Sequence, residues 1–129
     1  MKKILLSFFF LTAVLFAHAQ LNMTFQGNLP YPGKTLANIW GYVDSSGNEY
    51  ALVGTSTGLS IVDVSVPTSP VEKFTVTGPT SLWREVRTKG HYAFVTTEGG
   101  TDGLYVVNLG YLPDSIQYET WNGNGNKSY

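Results

Sequence analysis

A chain of 129 residues with no cysteine and a formal net charge of −1 is long enough for one modest domain. It cannot be a disulfide scaffold or a thiolate-ligated zinc domain. Without Lys2 and Lys3, six basic residues face nine acidic ones, so no positive field exists to draw in nucleic acid.

The first segment, MKKILLSFFFLTAVLFAHAQ, sets Lys2 and Lys3 before an apolar run from Ile4 to Ala17 and closes on Ala17-His18-Ala19. Charged, then apolar, then small-x-small is the layout of a secretory signal peptide, with cleavage expected before Gln20. The rival reading is an uncleaved anchor, but the run falls short of the roughly 20 residues that span a bilayer. Residues 1–19 are therefore expected to direct export, and residues 20–38 to form a lead-in to the domain. An exported chain without cysteine leans towards a bacterial source.

Beyond that point turn residues interrupt the chain every ten or so positions, and strand signals dominate. Ile39 to Val43 is a β-prone run ended by the turn cluster Asp44 to Asn48. Glu49 to Gly54 is a second strand, Leu59 to Val64 a third, and Val71 to Val76 a fourth. The sequence VPTSP, residues 66 to 70, separates the last two, because neither Pro67 nor Pro70 donates to a ladder. A second unit follows Gly78-Pro79. Its expected strands are Trp83 to Arg87, Tyr92 to Thr97, Leu104 to Leu109 and Ile116 to Trp121, with a tight turn at Lys89-Gly90 and a loop from Glu98 to Gly103.

The two units repeat one another. Trp83 follows Trp40 by 43 positions, Ala93 follows Ala51 by 42, and Leu104 follows Leu59 by 45. A period of about 43 residues with four strands per unit is the size of a β-propeller blade. An eight-stranded β-sandwich would explain the strands but not the recurrence of Tyr-Ala-x-Val and Gly-Leu-x-x-Val. The expectation is an all-β chain of two consecutive four-stranded antiparallel meanders, residues 39–78 and 79–121, as blades of an incomplete β-propeller. Residues 122–129 form a polar, Gly- and Asn-rich tail at a point of truncation. Because a closed ring needs about four to eight blades, the chain is expected to be a piece of a longer protein or to complete its ring by assembly. In either case apolar residues should be exposed on the outer faces of the two units.

The stretch GLSIVDVSVPTSPV, residues 58 to 71, resembles the LVIVD repeat, a bacterial propeller blade. Residues 38–65 and 81–100 carry a wider resemblance, to the N-terminal blades of the choice-of-anchor B family. The resemblance runs from Leu36 to about Trp121. It implies an exported or cell-surface protein whose relatives carry differing C-terminal anchors; none is read in this chain, so a membrane would be met only through an anchor outside it. It carries no catalytic residue. The second unit departs from the repeat, with Asn108 at the place of Asp63 and Gly110 at the place of Ser65. Trp40, Asp63, Ser65, Pro67, Pro70, Trp83 and Pro113 are read as structural: Asp63 and Ser65 bond the following turn, while the prolines stop strands and set their exits.

Three places could carry chemistry. In Trp83-Arg84-Glu85-Val86, strand alternation would set Glu85 and Arg84 on opposite faces, one of them towards a central channel; the plain alternative is an ion pair between blades. Glu98 and Asp102 lie in a Gly-rich loop whose carboxylates and carbonyls suit Ca²⁺, although the spacing matches no calcium repeat and a surface loop explains it as well. His91 has neither a Gly-x-Ser-x-Gly elbow nor a second histidine after residue 19 to work with, and reads as an exposed strand start. Neither a resident cofactor nor a transition-metal site is expected. The reading is an exported binding scaffold for an extracellular protein or glycan, with Arg84, Glu85, Glu98 and Asp102 as candidate binding residues. The alternative is part of a secreted propeller hydrolase whose active site lies in further blades.

Overall fold

A computed structural model describes residues 23–123 and 127–128. The signal peptide read at residues 1–19 lies outside the described residues, as do residues 124–126 and 129 of the tail. Eight strands form two antiparallel meanders. The first is β1 (Leu36–Val43), β2 (Glu49–Thr55), β3 (Gly58–Asp63) and β4 (Val71–Thr77), paired in that order. The second is β5 (Val86–Lys89), β6 (Tyr92–Val95), β7 (Leu104–Asn108) and β8 (Gln117–Trp121), extended at its edge by the short β9 (Lys127–Ser128).

The turns follow from their residues. Asp44 Oδ1 accepts from the backbone N–H of Ser46 at 2.8 Å and of Asn48 at 2.9 Å, while Oδ2 accepts from Asn48 Nδ2 at 2.8 Å. One carboxylate thus holds the whole β1–β2 turn. At the start of the third strand of each sheet stands a glycine, Gly58 with φ +148° and Gly103 with φ +73°. A Cβ on Gly58 would come within 2.0 Å of the Val76 carbonyl oxygen, and one on Gly103 within 2.3 Å of that of Trp121. The recurring Gly-Leu is therefore a close approach to the fourth strand that only glycine allows.

The sheets pack face to face through one side of each. Tyr50, Leu52, Leu59, Ile61 and Val76 of the first meet Val86, Ala93, Val95, Tyr105 and Val107 of the second, closed off by Leu109 and Leu112. Both remaining faces are open to different degrees. On the first sheet Ile39 is 65% exposed, whereas Val53 and Val62 lie beneath the lead-in segment. Tyr31 of that segment reaches across β3, its hydroxyl 2.8 Å from Ser60 Oγ. On the second sheet Tyr92, Phe94, Leu104 and Val106 lie on the side away from the core. Apolar side chains are exposed on the outer faces of both units.

Two strand starts lie three residues from their expected places, and the second hairpin turns at Gly90-His91, so that His91 precedes β6 instead of starting it. The first strand begins at Leu36, taking in the end of the expected lead-in, with a bulge between Leu36 and Asn38. The fifth begins at Val86 instead of Trp83. Ser81 explains the latter: its hydroxyl donates to the Trp83 carbonyl at 2.7 Å and accepts from the Trp83 N–H at 3.3 Å, a local pairing that competes with a ladder. Trp83 is left outside the sheet and 72% exposed. Trp40 and Trp83 are consequently not equivalent. Val86 opposes Val95 as Ile39 opposes Val53, so the counterpart of Trp40 is Arg87. The two units differ here because seven residues lie between the paired Tyr42 and Tyr50 and only two between the equivalent Lys89 and Tyr92.

Candidate functional site

The seam where β1 runs beside β5 gathers polar residues from both sheets. Asn38 Oδ1 accepts from the Val86 N–H at 3.2 Å and its Nδ2 donates to Glu85 Oε2 at 3.3 Å. Trp40 Nε1 donates to Thr88 Oγ1 at 2.9 Å. The Arg87 guanidinium lies over the Trp40 ring, 4.6 Å from its centroid, and its Nη1 stands 3.2 Å from Glu85 Oε2. Glu85 thus sits in a bonded seam on the surface. Its ion pair is with Arg87 of its own sheet, and its bond across the seam is with Asn38.

Arg84 does the opposite. Although neighbour to Glu85 in sequence, it is 2% exposed and points between the sheets. Its Nε donates to the Thr55 carbonyl at 3.0 Å and its Nη2 to the Pro79 carbonyl at 2.8 Å. Burial pulls the guanidinium below its ordinary pKa, offset in part by the Tyr105 phenol. Tyr105 in turn donates to Asp102 Oδ2 at 2.5 Å. Burial first, and then this bond, raise the phenol well above its ordinary value. The structure therefore brings Arg84 and Asp102 together through Tyr105, as a brace between the end of β2, the inter-sheet connection and the Gly-rich loop.

Glu98 is not part of that brace; it lies exposed in the same loop. Among the described residues no three His, Cys, Asp or Glu side chains cluster so as to hold a metal ion, and Asp102 is occupied by Tyr105.

A cleft of about 370 Å³ lies at the hairpin end of the molecule, between the two units. Tyr42, Asp44 and Ser45 line it from the first sheet, and His91, Asn108 and Tyr111 from the second. The Asn48 amide holds the Asp44 carboxyl below the usual carboxylate range. Tyr50 donates to Asp44 Oδ2 at 3.4 Å; burial and then the Asp44 charge push this phenol up to about 12. His91 packs on Tyr92, ring centroids 4.5 Å apart. Asp44 and His91 were read from sequence as turn and strand start; only the apposition of two hairpins makes them walls of one cleft.

Asp63 serves its turn as expected, whereas Ser65, expected to bond the following turn, reaches back to the start of β2. Asp63 Oδ1 accepts from the Ser65 N–H at 3.0 Å, and Ser65 Oγ accepts from the Glu49 N–H at 2.9 Å. The Ser65 bond holds the Asp63 carboxyl below its usual range. Asn108 Oδ1 accepts from the Gly110 N–H at 2.9 Å, so the same turn survives the change of Asp for Asn and Ser for Gly. The Leu112–Pro113 peptide is cis. Pro67 is exposed, and Pro70 borders the groove beneath the lead-in.

Comparison with known proteins agrees with this architecture over the first sheet. No curated protein and no solved structure matches the chain. Residues 43–78, from the end of β1 through β4, match the LVIVD repeat.

Proposed function

We propose that this is an exported or cell-surface β-propeller repeat protein of the choice-of-anchor B type, acting as a scaffold that binds an extracellular protein or glycan. The observation that carries the reading is the equivalence of the two sheets: the unit that matches the LVIVD repeat is followed by a second with the same strand order and the same strand-to-strand register in β2, β3, β6 and β7. Repeats of that kind stack into quasi-one-dimensional or circular arrays and present their loops together at one end. Here that end holds the Asp44–His91 cleft, whose walls come from both units. The Lys2-Lys3 and Ala17-His18-Ala19 layout supports export. Arg84, Glu85 and Asp102 take up inter-sheet and loop bonds, a use that suits a scaffold.

The test is expression from the chain's own N-terminus in a bacterial host, followed by fractionation and N-terminal sequencing. An exported product beginning at Gln20 supports the reading. Retention of residues 1–19 in the cytoplasm removes it. Equilibrium binding of the exported product to a glycan panel, with Asp44→Ala and His91→Ala for comparison, then tests the cleft.

A further inference from the structure

Asp44 brings to the cleft between the units a charge that its turn does not neutralise. The residue is 8% exposed. Its two oxygens accept from the Ser46 and Asn48 N–H groups, from Asn48 Nδ2 and from the Tyr50 hydroxyl. A carboxylate has about four lone-pair sites, so no acceptor position remains for a hydroxyl entering the cleft. All of those donors are uncharged, and among the described residues the one ion pair joins Arg87 to Glu85 at the seam. The Asn48 amide holds the carboxyl below the usual range and so keeps it ionised at neutral pH. Asp63 acts on the same Tyr50 phenol and adds to the negative field, offset in part by Lys73. Asp44 therefore offers a ligand its charge and not its hydrogen bonding.

The walls decide which cation suits that charge. A hard metal ion takes several oxygen ligands, and among the described residues no three His, Cys, Asp or Glu side chains gather for one. An organic ammonium needs an anion nearby and aromatic faces, whose quadrupole attracts it. Tyr42 and Tyr111 line the cleft, one from each unit, and no Lys or Arg stands among the lining residues. The volume of about 370 Å³ lies at the small end of the range for ligand sites, about 300–1,000 Å³, which suits a single sugar ring. Ser45 and Asn108 also line it. Among the described residues neither Ser45 Oγ nor Asn108 Nδ2 has a partner, while Asn108 Oδ1 is taken by the Gly110 N–H. The ammonium of a lysine side chain is a donor only and gives the Asn108 amide nothing to donate to, whereas sugar hydroxyls accept. The combination favours an amine carried on a sugar.

We infer that the Asp44–His91 cleft binds the free amine of an amino sugar at the end of a glycan, the ammonium resting against the Tyr42 and Tyr111 rings in the field of Asp44. The inference rests on the binding-scaffold reading above and names the ligand of its cleft.

The test is an NMR titration of isotope-labelled protein purified from expression of the full chain, in low-salt buffer at a pH where the sugar amine is protonated. The probes are a glucosamine trimer, its fully N-acetylated counterpart and Nα-acetyl-lysine methylamide. The glucosamine trimer is expected to shift the Ser46, Asn48 and Gly110 amides, which bond to residues of the cleft. The N-acetylated trimer, with the same rings and no charge, should bind about tenfold more weakly. Asp44→Asn keeps the shape, removes the charge and should weaken the glucosamine trimer by about tenfold. Tyr111→Ala, at an exposed position, should weaken it by about two- to fivefold, and carries the comparison if Asp44→Asn loses the dispersed spectrum of a folded protein. Equal binding of the two trimers overturns the inference and leaves the scaffold reading standing. A lysine probe that binds as tightly as the glucosamine trimer does the same, as do shifts confined to amides outside the cleft. Unchanged affinity in Tyr111→Ala overturns it too. A folded wild type that binds neither these probes nor any glycan of the panel removes both readings.

Discussion

The guanidinium of Arg87 stands over the ring of Trp40, 4.6 Å from its centroid, and these two residues hold the same place in the two sheets. Each is the second residue beyond Asn38 or Glu85, and Asn38 and Glu85 are themselves bonded across the seam. The first strands of the units thus meet through matched positions, on the side where the sheets come nearest. A cation over an indole face at an exposed site is worth about 0.5–1 kcal/mol. Arg87→Ala is expected to lower the unfolding free energy measured by urea titration by that amount, with a correspondingly lower midpoint and Trp40 emission changing in the folded baseline. Arg87→Lys should fall between, since an ammonium keeps the charge and loses the planar stack. An unchanged midpoint in Arg87→Ala would show that the seam draws nothing from the contact.

Arg84 is held by two carbonyls in a site with almost no solvent. Removing it leaves the Thr55 and Pro79 oxygens without their side-chain donor, and each unsatisfied buried group costs about 1–3 kcal/mol. Arg84→Ala is therefore expected to destabilise the fold by about 2–4 kcal/mol. In a domain of this size that is a fall in Tm of about 10 °C or more. Glu85→Ala, one residue along and at the surface, should change Tm by far less. Equal effects from the two would contradict the inward and outward assignment.

Asp44 and Tyr50, bonded to one another, set opposite pH limits. The Asp44 carboxyl is lowered by Asn48 in the folded state. Its contribution is fully present above the unfolded value of about 3.9 and is lost as pH falls through the lower folded value. The Tyr50 phenol is raised to about 12; its contribution is present below about 10 and is lost as pH rises through the folded value. Urea midpoints measured across this range should decline at both ends. Asp44→Asn should flatten the acid limb and Tyr50→Phe the alkaline one. A Tyr50→Phe protein with an unchanged alkaline limb would assign that limb to other tyrosines.

Gly58 and Gly103 meet the backbone of the fourth strand at equivalent points, Val76 and Trp121. An alanine at either position combines a disfavoured φ with a clash against a carbonyl that no side-chain rotation relieves. Gly58→Ala and Gly103→Ala are each expected to cost about 2–4 kcal/mol. Alanine at Gly47, which has a positive φ but open space around it, should cost only about 1 kcal/mol. Thermal melts of the three variants give the comparison directly.

Much of this was legible in the residues. The β2, β3, β6 and β7 strands announce themselves as alternating apolar runs between turn residues, and Tyr-Ala-x-Val with Gly-Leu marks the repeat because those positions recur in both registers. Asp63 and Asn108 also speak locally, each bonding an N–H two residues on. The pairing of Trp40 with Trp83 misleads for a physical reason: spacing along a chain counts turn residues, and between equivalent strand pairs the first hairpin encloses five more than the second. Arg84 and Glu85 were indistinguishable as neighbouring charges, since what buries one of them is a pair of carbonyls from Thr55 and Pro79, distant in sequence from one another.

Composition, alternation and turn chemistry by themselves determined an all-β chain, two like units and the punctuation between strands, because these depend on neighbours within a few residues. Which faces meet was decided only by the tertiary structure. Each sheet carries two apolar faces, and a period of two residues makes both of them credible cores. Long-range packing chose Leu52 and Ile61 against Val86 and Val95, turned Arg84 inward, and left Ile39 and Tyr92 facing outward at the two ends of the molecule.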